Sequence, residues 1–138
     1  MHALEEIRRI LVPEGILIDL RPVADRWPVE LSSDRAVRKL GWITDLPTGL
    51  ADDEAANNAF KEIARRGTFV CESNEYFRFF YYWDTPEEMR EHIQEKWADF
   101  MKLEEDSYSA VQNAWATAGA DRRVRVRLKM LLARWRKR

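Results

Sequence analysis

The stretch Ala3-Leu4-Glu5-Glu6-Ile7-Arg8-Arg9-Ile10-Leu11-Val12-Pro13-Glu14-Gly15-Ile16-Leu17-Ile18-Asp19-Leu20 reads as a helix, a turn and a strand in direct succession. Leu4, Ile7, Ile10 and Leu11 recur at helical spacing, while Glu5, Glu6, Arg8 and Arg9 fall on the opposite side. Pro13 and Gly15 stop the helix, because proline lacks the donor a further turn needs and glycine permits the backbone to reverse. Ile16 to Leu20 is then a nearly continuous apolar run, the pattern of a strand buried on both faces. Arg21-Pro22 closes it, since the residue before a proline is steered away from the helical region.

Outward from this unit, residues 22–51 carry Pro22, Pro28, Pro47, Gly41 and Gly49, and read as a long excursion with one helical turn near Asp34 to Leu40. Asp52 or Asp53 is placed to cap a helix with the stripe Ala56, Ala59, Phe60 and Ile63, ending at Gly67. Thr68 to Trp83 is β-rich, and the polar Glu72-Ser73-Asn74-Glu75 inside it reads as a hairpin turn. Thr85-Pro86-Glu87-Glu88 is a helix start: a hydroxyl cap, a proline where its missing N–H is harmless, and a glutamate to complete the box. Met89, Ile93, Trp97 and Phe100 or Met101 line that helix, and Tyr108, Val111, Trp115 and Ala118 line the next, which stops at Gly119. The last segment alternates strictly, with Val124, Val126, Leu128, Met130 and Leu132 on one face and Arg123, Arg125, Arg127 and Lys129 on the other. Residues 133–138 read as a frayed basic tail.

Composition narrows the class. The 138 residues suit one domain, 1–138, with a core large enough to dispense with disulfides. A single cysteine, Cys71, and two histidines are too few for a closed zinc site, and no apolar run spans a bilayer. The amino terminus lacks the pattern of a signal peptide, so a cytoplasmic protein is expected. Net charge is −1, but residues 122–138 hold nine basic residues and no acid, against a balance of −10 before them. Such asymmetry hints at nucleic acid. Alternation explains it more simply, as a solvated strand face that discourages unwanted pairing. Nucleic acid is therefore disfavoured as a partner, and no membrane contact is expected.

On the residues Ala3 to Asp19, with the turn Leu11-Val12-Pro13-Glu14-Gly15, the chain resembles class I S-adenosylmethionine-dependent methyltransferases. In that family a helix leads through a Leu-x-Pro-Gly-Gly turn into the fifth sheet strand; here Glu14 replaces the first glycine. The later order, an aromatic β segment, Trp83-Asp84-Thr85-Pro86-Glu87-Glu88 opening a helix, and a final basic strand, is similar to the carboxy-terminal part of the family. The resemblance implies the C-terminal half of a Rossmann-like fold. The expectation is an α/β (α+β-like) fragment, with a small mixed, largely antiparallel sheet of three to four strands on about four helices. The family's donor site, a glycine-rich turn after the first strand and an acidic residue after the second, would lie upstream of Met1. The five glycines, at 15, 41, 49, 67 and 119, build no phosphate-type cradle.

The functional expectations follow from that gap. No cofactor is bound by this chain alone, and S-adenosylmethionine binds only if a partner supplies the site. Ile16, Leu17, Ile18 and Leu20 would present an unpaired strand edge, so the chain is expected to form a homo-oligomer or to dock on a separate chain carrying the N-terminal half. Asp19 and Arg21, at the end of that strand, with Trp27 and Tyr82, are the candidate substrate-binding residues. The alternative class is a small-molecule-binding α+β domain with an aromatic-lined pocket, drawn from Tyr76, Phe77 and Phe79 to Trp83. No catalytic set is legible: His92 reads as a partly exposed helix residue and Cys71 as a small packed hydrophobe.

Overall fold

The computed structural model describes residues 2–138. In chain order the elements are α1 (His2–Ile10), β1 (Ile16–Pro22), β2 (Trp27–Ser32), β3 (Val37–Asp45), α2 (Pro47–Arg65), β4 (Phe69–Trp83) and α3 (Pro86–His92). A π-helical turn (Ile93–Trp97), β5 (Met101–Leu103), α4 (Glu105–Thr117) and β6 (Arg123–Lys137) complete the chain. The architecture is mixed α/β, with an open, mostly antiparallel sheet in the hydrogen-bonded order β1-β6-β2-β3-β5 and β4 also paired to β6. Six strands replace the three to four expected.

The contacts gather into two compact units; they comprise residues up to Val23 with Ala51–Phe77 and Met130–Arg138, and Ala24–Leu50 with Arg78–Lys129. In the first unit, β1 pairs antiparallel with the end of β6, from Ile16 opposite Arg136 to Pro22 opposite Met130. Leu4, Val23, Ile63, Phe69, Leu131, Ala133 and Trp135 form its core, with Ile7, Leu11, Leu17, Ala59 and Phe60 packed on it. Residues 133–138 are therefore no frayed tail. Trp135 is buried against the Phe60 ring at 5.1 Å, and the Lys137 and Arg138 amides donate to the Gly15 and Thr68 carbonyls. The apolar partners supplied by α1 and α2 hold the strand to its end.

The turn into β1 departs from the expectation in one respect. The left-handed residue is Glu14 (φ 62°), not Gly15. Gly15 is needed for a close approach instead, since a Cβ there would lie 2.8 Å from the Val12 carbonyl oxygen. An L-residue in that region costs roughly 1–2 kcal/mol, and glycine in its place costs some chain entropy. Glu14→Gly is thus expected to raise stability by about 0.5–1 kcal/mol, measured by urea denaturation.

In the second unit the long excursion is a hairpin. β2 and β3 pair from Trp27 opposite Ile43 to Ser32 opposite Val37, with a bulge between Val29 and Glu30. β2 also pairs with the start of β6, and β3 with β5. α4 covers β2 and β3, and Gly41 makes that possible: a Cβ there would fall 2.2 Å from Ser107 Oγ. Val29, Ile43, Met89, Val111, Val124 and Val126 are fully buried. The α3 start is as read, with Thr85 Oγ1 accepting from the Glu88 amide at 3.2 Å and Glu88 Oε2 from the Asp84 amide at 3.1 Å.

Two strands depart from the sequence reading. The expected turn at Glu72 to Glu75 is part of a single unbroken β4. In β6, Val124, Val126 and Leu128 are buried as expected, but after Lys129 the buried set moves to Leu131, Ala133 and Trp135. The first part of the strand serves the core of one unit and the last part that of the other.

Candidate functional site

Strand β1 positions two of the four candidate substrate residues. Asp19 and Arg21 share the face that carries Leu17, which α1 and α2 cover, and both are largely withdrawn from water. The Arg21 Nε donates to both Asp19 oxygens (3.1 and 3.2 Å), Nη1 to Asp53 Oδ1 (2.9 Å) and Nη2 to Asn57 Oδ1 (2.7 Å). Asn57 Nδ2 in turn reaches Asp53 Oδ2 at 3.4 Å. All three guanidinium nitrogens are thus engaged by this chain, and the planar fork that would grip a substrate carboxylate is already filled. The network holds one cation against two carboxylates. Asp53 and Asn57 were missed as members of it; their four-residue spacing on one helix face was the available signal.

Trp27 and Tyr82 belong to the other unit. Trp27 is buried, edge-on to Trp97 at 5.8 Å, and its indole Nε1 has no hydrogen-bond partner. Tyr82 is exposed; its hydroxyl accepts from Arg125 Nη1 at 3.1 Å, and the Arg123 guanidinium lies 4.7 Å from its ring centre.

The aromatic strand divides its two faces as alternation requires. Tyr81 and Trp83 gather with His92 and Trp97, ring centres 5.1–6.0 Å apart, so the half-buried His92 sits among rings. Phe80 and Tyr82 on the other face lie under the arginines of β6, with Arg125 4.4 Å from the Phe80 ring centre. Such stacking is worth about 0.5–1 kcal/mol at exposed sites. Cys71, expected to be packed, is exposed on β4.

The basic strand has acidic partners along most of its length. Glu30, buried in the bulged β2, accepts from Arg125 Nε at 2.9 Å and lies 4.0 Å from Arg127. Arg123 pairs with Asp84, Lys129 with Asp25, and Arg134 and Arg136 with Glu72. The Arg136 hydrogen bond holds the Glu72 carboxyl below its ordinary range. The signal missed here was Glu30, set between the apolar Val29 and Leu31; Glu72 had been read as part of a polar turn.

The four residues expected at an interface divide by side. Ile16 and Leu17 are half-buried, Leu17 against the core, while Ile18 and Leu20 are 52% and 57% exposed on the face that α1 and α2 leave uncovered. β1 stands at the end of the strand order, bonded to β6 on one side. The run is accordingly buried on one face, not on both. Among the described residues no helix is long and apolar enough to cross a membrane. No family model matches the chain, and no curated protein or solved structure matches it either.

Proposed function

We propose that this chain is a methyltransferase-like protein similar to the C-terminal half of an S-adenosylmethionine-dependent methyltransferase, not catalytic alone, and that it acts as an oligomer or as one part of a split enzyme. The observation that carries the reading is that β1 ends the strand order, with Ile18 and Leu20 exposed on the face beside that edge. A sheet edge of unpaired N–H and C=O groups beside apolar side chains is a template for a strand from another chain. We take the compartment to be the cytoplasm, on the single cysteine and the charged composition.

The residues present do not fit the methyl donor. The space beside Gly41, Gly49 and Gly15 is filled by Ser107, by Phe100 and by Val12 with Leu11. Gly67 follows the end of α2 instead of opening a helix, and the space beside Gly119 leads to the Asp121 carboxylate. None of them offers backbone to a ligand after a strand. Donor binding belongs to the partner in this proposal, and no chemical step is assigned to this chain.

Light scattering at micromolar concentration tests the association. A dimer or larger assembly is expected, and Leu20→Lys, which places a charge on the exposed face of β1, is expected to dissociate it and to lower the melting temperature to a value independent of protein concentration. A monodisperse wild-type monomer would remove self-association, leaving the split-enzyme form, which then requires capture of a chain bearing a glycine-rich βαβ unit. Titrating S-adenosylmethionine into the isolated chain is expected to leave the melting temperature unmoved. A saturating rise would sink the proposal, because a ligand bound only to the native state must stabilise it.

A further inference from the structure

A second feature, independent of β1, lies wholly within the unit formed by Ala24–Leu50 and Arg78–Lys129. A cavity of about 290 Å³ opens between the end of α3, the π-helical turn, β5 and the start of α4. Tyr108 is 3% exposed, and its hydroxyl has no hydrogen-bond partner. Burial pushes this phenol above its ordinary range, so at neutral pH it is an O–H donor. A buried hydroxyl left unpaired forfeits about 1–3 kcal/mol, which folded proteins seldom tolerate without a partner arriving from elsewhere.

The walls say what that partner is. Arg90 lies with its guanidinium 4.3 Å from the Tyr108 ring centre, and among the described residues it has no acidic group at ion-pair distance. Its donors stay available while the ring holds its plane. Lys102 also lines the space, although it spends part of its charge on Glu104 at 3.7 Å. Ile93 and Met101 supply an apolar wall, Glu105 is the carboxylate among the lining residues, and Glu87 and Glu91 also act on Tyr108 through their charge, against which Arg90 and Lys102 set two cations. The π-helical turn contributes Ile93 and Gln94, and such turns recur at functional sites because the extra residue re-aims side chains.

We infer that this cavity is a binding site for a small organic carboxylate. The carboxylate takes the Tyr108 O–H and the Arg90 guanidinium, and a compact apolar body rests on Ile93 and Met101. The volume is near the lower limit of small-molecule pockets, so the ligand is of fragment size.

Benzoate is the probe and benzamide, of the same shape without the charge, is its control. Isothermal titration of the full chain is expected to give saturable benzoate binding with a dissociation constant of about 1 mM or tighter, and binding of benzamide weaker by about tenfold or more. In ¹H–¹⁵N spectra the Arg90 side-chain Nε–H signal is expected to move with the same constant. Arg90→Gln is expected to weaken benzoate by about tenfold, and Tyr108→Phe by about five- to tenfold, the latter with a melting temperature equal to or above wild type. That last result separates a ligand contact from a structural role. A flat titration, as an ordered water alone on Tyr108 would give, overturns the inference. So does equal binding of benzamide, or full affinity in both variants. None of these outcomes bears on the oligomeric state, so its failure is separable from that of the association at β1.

Discussion

Trp135→Ala is expected to lose about 3–5 kcal/mol of folding stability, the range for truncating a buried indole to a methyl. Trp135 is followed by only three residues, yet it is 9% exposed and belongs to the core that also holds Leu4, Ile63 and Phe69. Against a total of roughly 5–15 kcal/mol, this is a large fraction of what keeps the protein folded. The melting temperature should fall by about 10–20 °C for a chain of this size. Two comparisons make the result specific. Trp135→Phe keeps the ring contact with Phe60 and removes an indole N–H that is buried without a partner, so its cost should be about 1 kcal/mol. Deleting only Arg138 removes one amide contact to Thr68 and should cost less still. A Trp135→Ala protein that melts with wild type would mean that the last strand is not docked as described.

Arg21→Met should be nearly as damaging, by about 3 kcal/mol, for an electrostatic reason. The substitution keeps an unbranched apolar side chain of similar length, and removes the guanidinium that lies 5.9 Å from the Phe60 ring centre and bonds both Asp19 and Asp53. These carboxylates are 7% and 18% exposed at the side chain, so solvent replaces little of what is lost. Removing one partner of a withdrawn ion cluster costs more than the cluster contributed, because an uncompensated charge stays behind. The triple variant Arg21→Met, Asp19→Asn, Asp53→Asn should therefore recover at least about 1.5 kcal/mol of the deficit in urea denaturation. If instead the single variant matches wild type in stability, Arg21 is free to serve a ligand, and its filled fork is no obstacle to substrate binding.

The same residues show where sequence patterns suffice and where they fail. Helix α1, the stop before β1 and the Thr85–Glu88 cap were legible because each depends on residues within four positions of one another. The hairpin β2–β3 was not. Pro28 and Gly41 inside it look like breakers, but Gly41 is demanded by the closeness of Ser107, which is distant in the chain. Likewise Glu72 looked like part of a turn, yet it lies in a strand and is paired there with Arg134 and Arg136, far from it in the chain. At the candidate site, Asp19 and Arg21 were found from their place at the end of β1. Their partners on α2 depend on which helix face packs against that strand.

By itself, then, the sequence determined helix α1 and the turn after it, the cap of α3, the alternation that makes β6 a strand, and an apolar β1 in need of cover. Period and capping act over a few residues, so no tertiary contact is required to set them. Only the folded chain decided that β6 changes its buried face after Lys129, that its arginines are spent on Glu30 and Glu72, and that β1 ends the sheet with Ile18 and Leu20 open to water. Each of these turns on which distant side chain arrives opposite, and burial or neutralisation by a distant partner leaves no mark in the spacing of the residues it acts on.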